Sequence, residues 1–224
     1  MKKAYFITGT DTDIGKTHIA TKLVTHFVSL NLKTAAMKPI SAGCEMQDGQ
    51  LKNEDALKLI AASNVEAPYH LVNPYAFAPA IAPHIAANLV GEVVSIAHIQ
   101  AAFEQLSTLA DVVVVEGAGG FLVPINESET IADLSCALNI PVILVVGMRL
   151  GCINHALLTV LAIENKGLNI AGWIANEIDT EMPYLQENIA SLVARINAPY
   201  LGFIAWKKDI NATQTNHQLD LSVL

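Results

Sequence analysis

The chain has 224 residues, of which 52% are hydrophobic and 15% charged, the composition of an ordered globular protein with one sizeable core in a single domain, residues 1–224. Its formal charge of −8 argues against nucleic acid or an anionic membrane as the main partner, yet leaves room for an anionic nucleotide held by a local nest of donors. The three cysteines, Cys44, Cys136 and Cys152, show no Cys-x-x-Cys spacing, which disfavours a disulfide framework or a zinc site.

In chain order, residues 4–8 read as a first strand and residues 16–31 as an amphipathic helix, with Ile19, Leu23, Phe27 and Leu30 at helical spacing. A second strand is predicted over 34–40 and a helix over 53–62 capped by Asn53. Residues 64–84 are proline-rich and read as an ordered excursion. A helix follows over 95–110, then a strand of four valines at 112–115. Further strands are predicted at 142–147, 170–175 and 200–204, with helices over 153–165 and 183–196 between them. Alternation of this kind predicts an α/β fold with a mainly parallel sheet flanked by helices on both faces. The apolar runs fall well short of the roughly 18 residues that cross a bilayer. Met1-Lys2-Lys3 leads straight into the first strand, with no secretory h-region. A cytoplasmic location is the expectation.

Residues 7–17, Ile-Thr-Gly-Thr-Asp-Thr-Asp-Ile-Gly-Lys-Thr, form a phosphate-binding loop between that first strand and its helix. Backbone N–H groups around Gly15 converge on phosphate oxygens at a helix start, where the dipole favours anions. Lys16 is the natural partner of the β- and γ-phosphates, and the Thr17 hydroxyl suits Mg²⁺. The loop is longer than the common pattern: Thr10 stands where a glycine is usual, and Gly9 lies one residue earlier. The fold expected is therefore a P-loop NTPase-like one.

Ligands of an open parallel sheet collect at the carboxyl ends of the strands. Lys38 and Ser41 stand at the end of the second strand, Asp55 opens the next helix, and Glu116-Gly117-Ala118-Gly119-Gly120 closes the valine strand. Arg149 to His155 follow the fourth strand, and Asn176 the fifth. Taken singly, Lys38 reads as a solvated strand-end lysine and Asp55 as a first-turn acid. Glu116 says more, because a carboxylate at that point holds Mg²⁺ in nucleotide-binding proteins. His84 and His155 read as structural histidines, Trp173 as core, and Cys152 as a packing residue at a helix start.

Several segments together resemble the dethiobiotin synthetase family: residues 9–17, Lys38-Pro39, residues 53–56, Asn73-Pro74-Tyr75, Pro83-His84, residues 115–120, 141–146, 150–155 and 171–176. The resemblance covers residue 4 to about 206. It implies ATP- and Mg²⁺-dependent closure of 7,8-diaminopelargonate with CO₂ to dethiobiotin, through an N7-carbamate and a carbamic–phosphoric anhydride. By matching position, Asp13, Ile14, Gly15, Lys16, Thr17 and His18 belong to the ATP site. Asp55, Glu116, Gly117, Ala118 and Gly119 complete it, with Asn176 as adenine reader and Ala205-Trp206 beside the base. Thr17, Asp55 and Glu116 hold Mg²⁺; Lys38, Lys16 and Thr12 act at the reacting centre. Ser41 and a helix start at Gly151, Cys152, Ile153 and Asn154 are assigned to the substrate, that helix start coming from the partner of a homodimer. No nucleic acid or membrane is implied.

Some positions depart from the family pattern. Ala42 stands where a hydroxyl is usual, Asp13 where Glu is frequent, and Ala205 where proline is frequent. Residues 209–212 offer no clear acidic ribose contact. Two rival readings share parts of the pattern. A dimeric ATPase switch of the septum-positioning or plasmid-partition type carries a lysine where this chain has Asp11. A cobyrinate-type amide ligase needs an ammonia-supplying glutaminase domain, for which 224 residues leave no room.

Overall fold

The protein is described here by a computed structural model covering residues 3–205 and 219–224. Side chains of the first strand, β1 (Lys3–Gly9), alternate between two cores, Tyr5 and Ile7 facing one and Phe6 the other. A strand that is apolar on both faces must be covered on both, and the rest of the chain supplies those covers. In order, it forms α1 (Lys16–Ser29), β2 (Thr34–Met37), β3 (Ile40–Ser41), β4 (Glu45–Gln47), β5 (Gln50–Lys52), α2 (Glu54–Ala62), α3 (Tyr69–Val72), β6 (Tyr75–Ala76) and α4 (Pro83–Leu89). Next come α5 (Ile96–Leu109), β7 (Val112–Glu116), α6 (Ile131–Leu138), β8 (Val142–Met148), α7 (Cys152–Asn165), β9 (Ile170–Glu177), α8 (Leu185–Val193) and β10 (Tyr200–Ile204).

Six strands form one sheet in the order β10-β9-β8-β1-β7-β2, with every pairing parallel. Tyr5, Ile7, Val112, Val114, Ile143 and Val145 pack with Ile19, Leu23 and Phe27 of α1 and Leu59 of α2. On the opposite face Phe6, Val113, Val115, Leu144 and Val146 meet Ile99 and Leu106 of α5, Leu134 of α6, Val160 of α7 and Leu192 of α8. The expected α/β sandwich with helices on both faces is therefore observed. Sequence neighbours β1 and β2 are separated by β7, so the order reverses beside β1. The phosphate loop leaves the sheet at that switch point.

The structure corrects several boundaries. The predicted strand over 34–40 stops at Met37, because Pro39 has no N–H to continue a ladder. Lys38 donates its N–H to Val72 O at 2.8 Å, and Ile40–Ser41 pair instead with β6 in a separate two-stranded sheet. Asn176 lies inside β9, opposite Gly147 and Ile204, and not beyond the strand as predicted. Besides α3 and β6 within residues 64–84, three features escaped prediction. One is α4, with Pro83 in its first turn. Another is α6, whose start carries a full capping box of Thr130 and Asp133. The third is the β4–β5 hairpin, turned by Asp48 at φ 51° and Gly49 at φ 80°.

Asn53 caps α2 as predicted, its side chain accepting from the N–H groups of Asp55 and Ala56 at 3.1 and 3.2 Å. Replacing it, Asn53→Ala, is expected to cost about 1 kcal/mol of stability. A urea titration should show a lower midpoint with an unchanged m-value.

Candidate active site

The loop between β1 and α1 is held from both neighbouring elements. Thr10 donates its N–H to Val145 O at 3.0 Å, and its hydroxyl accepts from Gly147 N at 3.3 Å. Asn176 Nδ2 donates to Ile14 O at 2.8 Å. Gly15 caps α1 at φ 86°, a left-handed conformation that glycine adopts freely, and a Cβ there would run into the Asn176 amide. The loop is thus shaped before any anion arrives, with the N-terminus of α1 directed at it.

Lys16 is buried, and its Nζ donates to Asp11 O at 2.6 Å. Burial pushes its ammonium down to about 8, helped by the nearby charge of Lys38, while Glu116, Asp11 and Asp13 oppose the shift. Beyond β7, at the end of β2, Lys38 Nζ donates to Glu116 Oε1 at 2.5 Å and lies 3.6 Å from Asp55 Oδ2. The same Glu116 oxygen accepts from the Thr17 hydroxyl at 2.8 Å. Glu116 is only 1% exposed and Lys38 6%. The other carboxylate oxygen, Oε2, is buried with no hydrogen-bond partner among the described residues. Thr17, Asp55 and Glu116 are hard oxygen donors lining one cleft, a set that fits a divalent cation such as Mg²⁺. Among the described residues no group of three or more His, Cys, Asp or Glu side chains is arranged to hold a metal. A Mg²⁺ bound by Thr17, Asp55 and Glu116 would complete its shell with phosphate oxygens or water.

Two clefts meet here. The smaller, about 300 Å³, lies over Gly15, Lys16, Thr17 and Glu116. The larger, about 530 Å³, is walled by Ile40, Ala42, Ala80, Ile81, Pro83 and Val123. Thr12, Asp13, Lys38, Asp55 and Gly119 line both, so the Lys38 ammonium stands on the boundary. The arrangement can hold a polyphosphate on one side and a mainly apolar molecule on the other, with a cation between them.

Other predicted residues fall elsewhere. Ala118 lines the larger cleft, and Gly117 packs closely on Phe6. His18 is exposed on the first turn of α1. Ser41 reaches the cleft wall, but its hydroxyl is buried, donating to Asn73 Oδ1 at 2.8 Å and lying 3.2 Å from Cys44 Sγ. Gly151, Cys152, Ile153 and Asn154 start α7 and line neither cleft of their own chain. Burial raises the Cys152 thiol above its ordinary value, as suits a packing residue. Ala205 follows β10, while Trp206 and residues 209–212 lie outside the described residues.

Sequence reasoning missed the role of Asn73. Its Nδ2 donates to Lys38 O at 2.6 Å and Tyr75 O at 3.1 Å, and its Oδ1 accepts from Ser41 and from Tyr69 Oη at 3.0 Å. This buried amide fixes the main chain of Lys38 where the strand breaks. In the sequence, Asn73-Pro74-Tyr75 stands out only as a segment matching the family, with no role given to its amide.

Comparison with known proteins settles the family. The chain is 50% identical over 223 residues to the ATP-dependent dethiobiotin synthetase BioD of Cellvibrio japonicus, covering 100% of this chain and 98% of that protein. The chain belongs to the dethiobiotin synthetase family. The ATP-dependent dethiobiotin synthetase BioD of Xanthomonas axonopodis pv. citri is 47% identical, over 97% of each chain. A family model described as an AAA domain matches residues 3–214. Dethiobiotin synthetases are ligases of biotin biosynthesis, and the present chain is an enzyme of that family. Among solved structures, the MinD cell division protein of Aquifex aeolicus has a TM-score of 0.57 at 15% identity, covering 92% of this chain and 83% of that one. A ParA family ATPase from Chlorobium tepidum TLS gives 0.56 at 12% identity, covering 93% and 87%. At such identity these likenesses show a shared P-loop NTPase fold and nothing of activity.

The Lys16 environment predicts a pH dependence. Bound phosphates favour the charged ammonium, so its pKa rises on nucleotide binding from about 8 in the free protein. Above that pH, binding must take up a proton, and the Kd for MgATP should increase by up to tenfold per pH unit. Calorimetry at pH 9 in buffers of different ionisation enthalpy should reveal this proton uptake.

Proposed function

We propose that this dethiobiotin synthetase family member closes 7,8-diaminopelargonate and CO₂ into dethiobiotin with ATP, releasing ADP and phosphate. The observation that carries the reading is the position of Lys38 Nζ, buried at the junction of the phosphate cleft and the apolar-walled cleft. In the reaction proposed, the N7 amine adds CO₂ and loses a proton to give a carbamate. A carbamate oxygen bonds to the γ-phosphorus as the bond to ADP breaks. The N8 amine then attacks the carbamoyl carbon and gives up a proton as phosphate leaves, and a cyclic urea remains.

The chain's own groups suit each task. The N–H groups before α1 and the Lys16 ammonium cradle the β- and γ-phosphates. Lys38 faces the anionic carbamate and the charge that develops during transfer, from a site where burial strengthens its field. Thr12 and Asp13 line both clefts next to the transfer point. Thr17, Asp55 and Glu116 would hold Mg²⁺, which when bound neutralises phosphate charge. Asn176, whose Nδ2 donates to Ile14 O behind the loop, is kept as the adenine reader on the family resemblance. Because the Ser41 hydroxyl is committed to Asn73, a main-chain N–H near Ala42 is the better candidate for the substrate contact.

A homodimer is part of the same reading. Leu122, Leu150, Leu158 and Leu161 are exposed, and Leu122 and Leu158 share a groove also lined by Asp11 and Thr12. In the dimer proposed, the partner's α7 start would complete the substrate site. No helix among the described residues is long and apolar enough to cross a membrane, and a cytoplasmic site of action is part of the proposal.

ADP release that requires both diaminopelargonate and bicarbonate is the expected result; release indifferent to the diamine would overturn the reading. Lys38→Gln should keep MgATP binding within a few-fold and lower turnover by several orders of magnitude, since it removes the charge at the transfer point. Ser41→Ala should cost about 1–2 kcal/mol of stability through the lost buried hydrogen bond. Its KM for the diamine should match that of the unmodified enzyme in steady-state kinetics.

A further inference from the structure

A loop built to hold polyphosphate carries two carboxylates of its own, Asp11 and Asp13, before Lys16. Asp11 is tied in three ways. Its main-chain oxygen accepts from Lys16 Nζ at 2.6 Å, its Oδ1 accepts from Thr12 N at 2.8 Å, and its Oδ2 pairs with Arg149 Nη2 at 2.5 Å. Arg149 comes from the turn after β8, where its carbonyl accepts from Cys152 N at 3.0 Å. Both partners are half-exposed, at 46% and 40%, so the ion pair adds little to folding stability. Its effect lies in the local field. Neither side chain lines the phosphate cleft, so the pair acts from beside it: an unpaired carboxylate within the loop would repel an incoming triphosphate, and the guanidinium cancels that charge.

We propose that Arg149 is a positioning residue of the phosphate site, neutralising Asp11 so that the loop keeps both its shape and its affinity for a nucleoside triphosphate. The inference rests on the reading of residues 7–17 as the phosphate-binding loop of an ATP site. Asp11 supplies the turn through its Oδ1 contact to Thr12, a contact that an asparagine oxygen can also make. The charge of Asp11, unlike its shape, is then a liability that Arg149 offsets. A single charge partly screened near a protein surface changes affinity by about tenfold, and salt should diminish the effect.

The test is MgATP binding, without diamine, to the full-length protein and to four variants at low and high ionic strength. Arg149→Met should raise Kd about tenfold at low salt and much less at high salt, while Arg149→Lys should bind close to the unmodified protein. Asp11→Asn should bind at least as tightly as the unmodified protein. The double variant Asp11→Asn/Arg149→Met should return to within about twofold of it, because both charges are gone. A merely structural role, or direct contact of Arg149 with the ligand, would leave the double variant as weak as Arg149→Met, and that result overturns the proposal. Unchanged binding by Arg149→Met overturns it as well. If the unmodified protein fails to bind MgATP, the nucleotide reading falls and takes this inference with it.

Discussion

The ion pair between Lys38 and Glu116 is the contact on which the rest of the site depends. A buried ammonium and a buried carboxylate are each costly alone and tolerable only together. Their 2.5 Å contact links the C-terminal ends of two neighbouring parallel strands, β2 and β7. The Thr17 hydroxyl of α1 joins the same oxygen, and Asp55 of α2 approaches the same ammonium. Four elements that are distant in sequence therefore converge on one shared charge. Removing either partner would leave a buried charge uncompensated in the middle of that convergence.

Around this pair the protein is arranged ahead of its ligands. The phosphate loop is fastened by Val145, Gly147 and Asn176 on neighbouring strands, and Lys38 by the fully used amide of Asn73. Groups already in place need little reorganisation when charge moves, which is where electrostatic catalysis gains most of its effect. The likeness to MinD and ParA ATPases extends to the sheet and the loop. The acid at position 11 is paired within its own chain to Arg149.

Much of this was legible in the sequence because the strongest signals are local. The loop at 9–17, the valine strand closed by Glu116 and the cap at Asn53 all depend on neighbouring residues, and each stands where it was read. The early break at Pro39 was visible in composition, yet a run of apolar residues on both sides masked it. Asn176 was placed beyond its strand because its neighbours gave no hint that the β9 ladder continues to Glu177. The commitment of Ser41 to Asn73 spans 32 positions of sequence, and pairings at that range leave no local periodicity to detect. The Asp11–Arg149 pair, 138 positions apart, escaped for the same reason.

The break at Pro39 divides labour between two kinds of wall. Up to Met37 the chain is part of the central sheet, on which the phosphate machinery is mounted. From Ile40 it runs with β6 in a sheet of its own, beside residues 80–83, and frames the larger cleft. Lys38 is the joint between the two. On the proposed reading, reshaping Ile40, Ala42, Ala80 or Ile81 would alter which acceptor fits while leaving the central ladder untouched. The proposed function would then separate the choice of acceptor from the handling of the phosphoryl group, and the wall from Ile40 onwards would be the natural place to redirect such an enzyme towards a different amine.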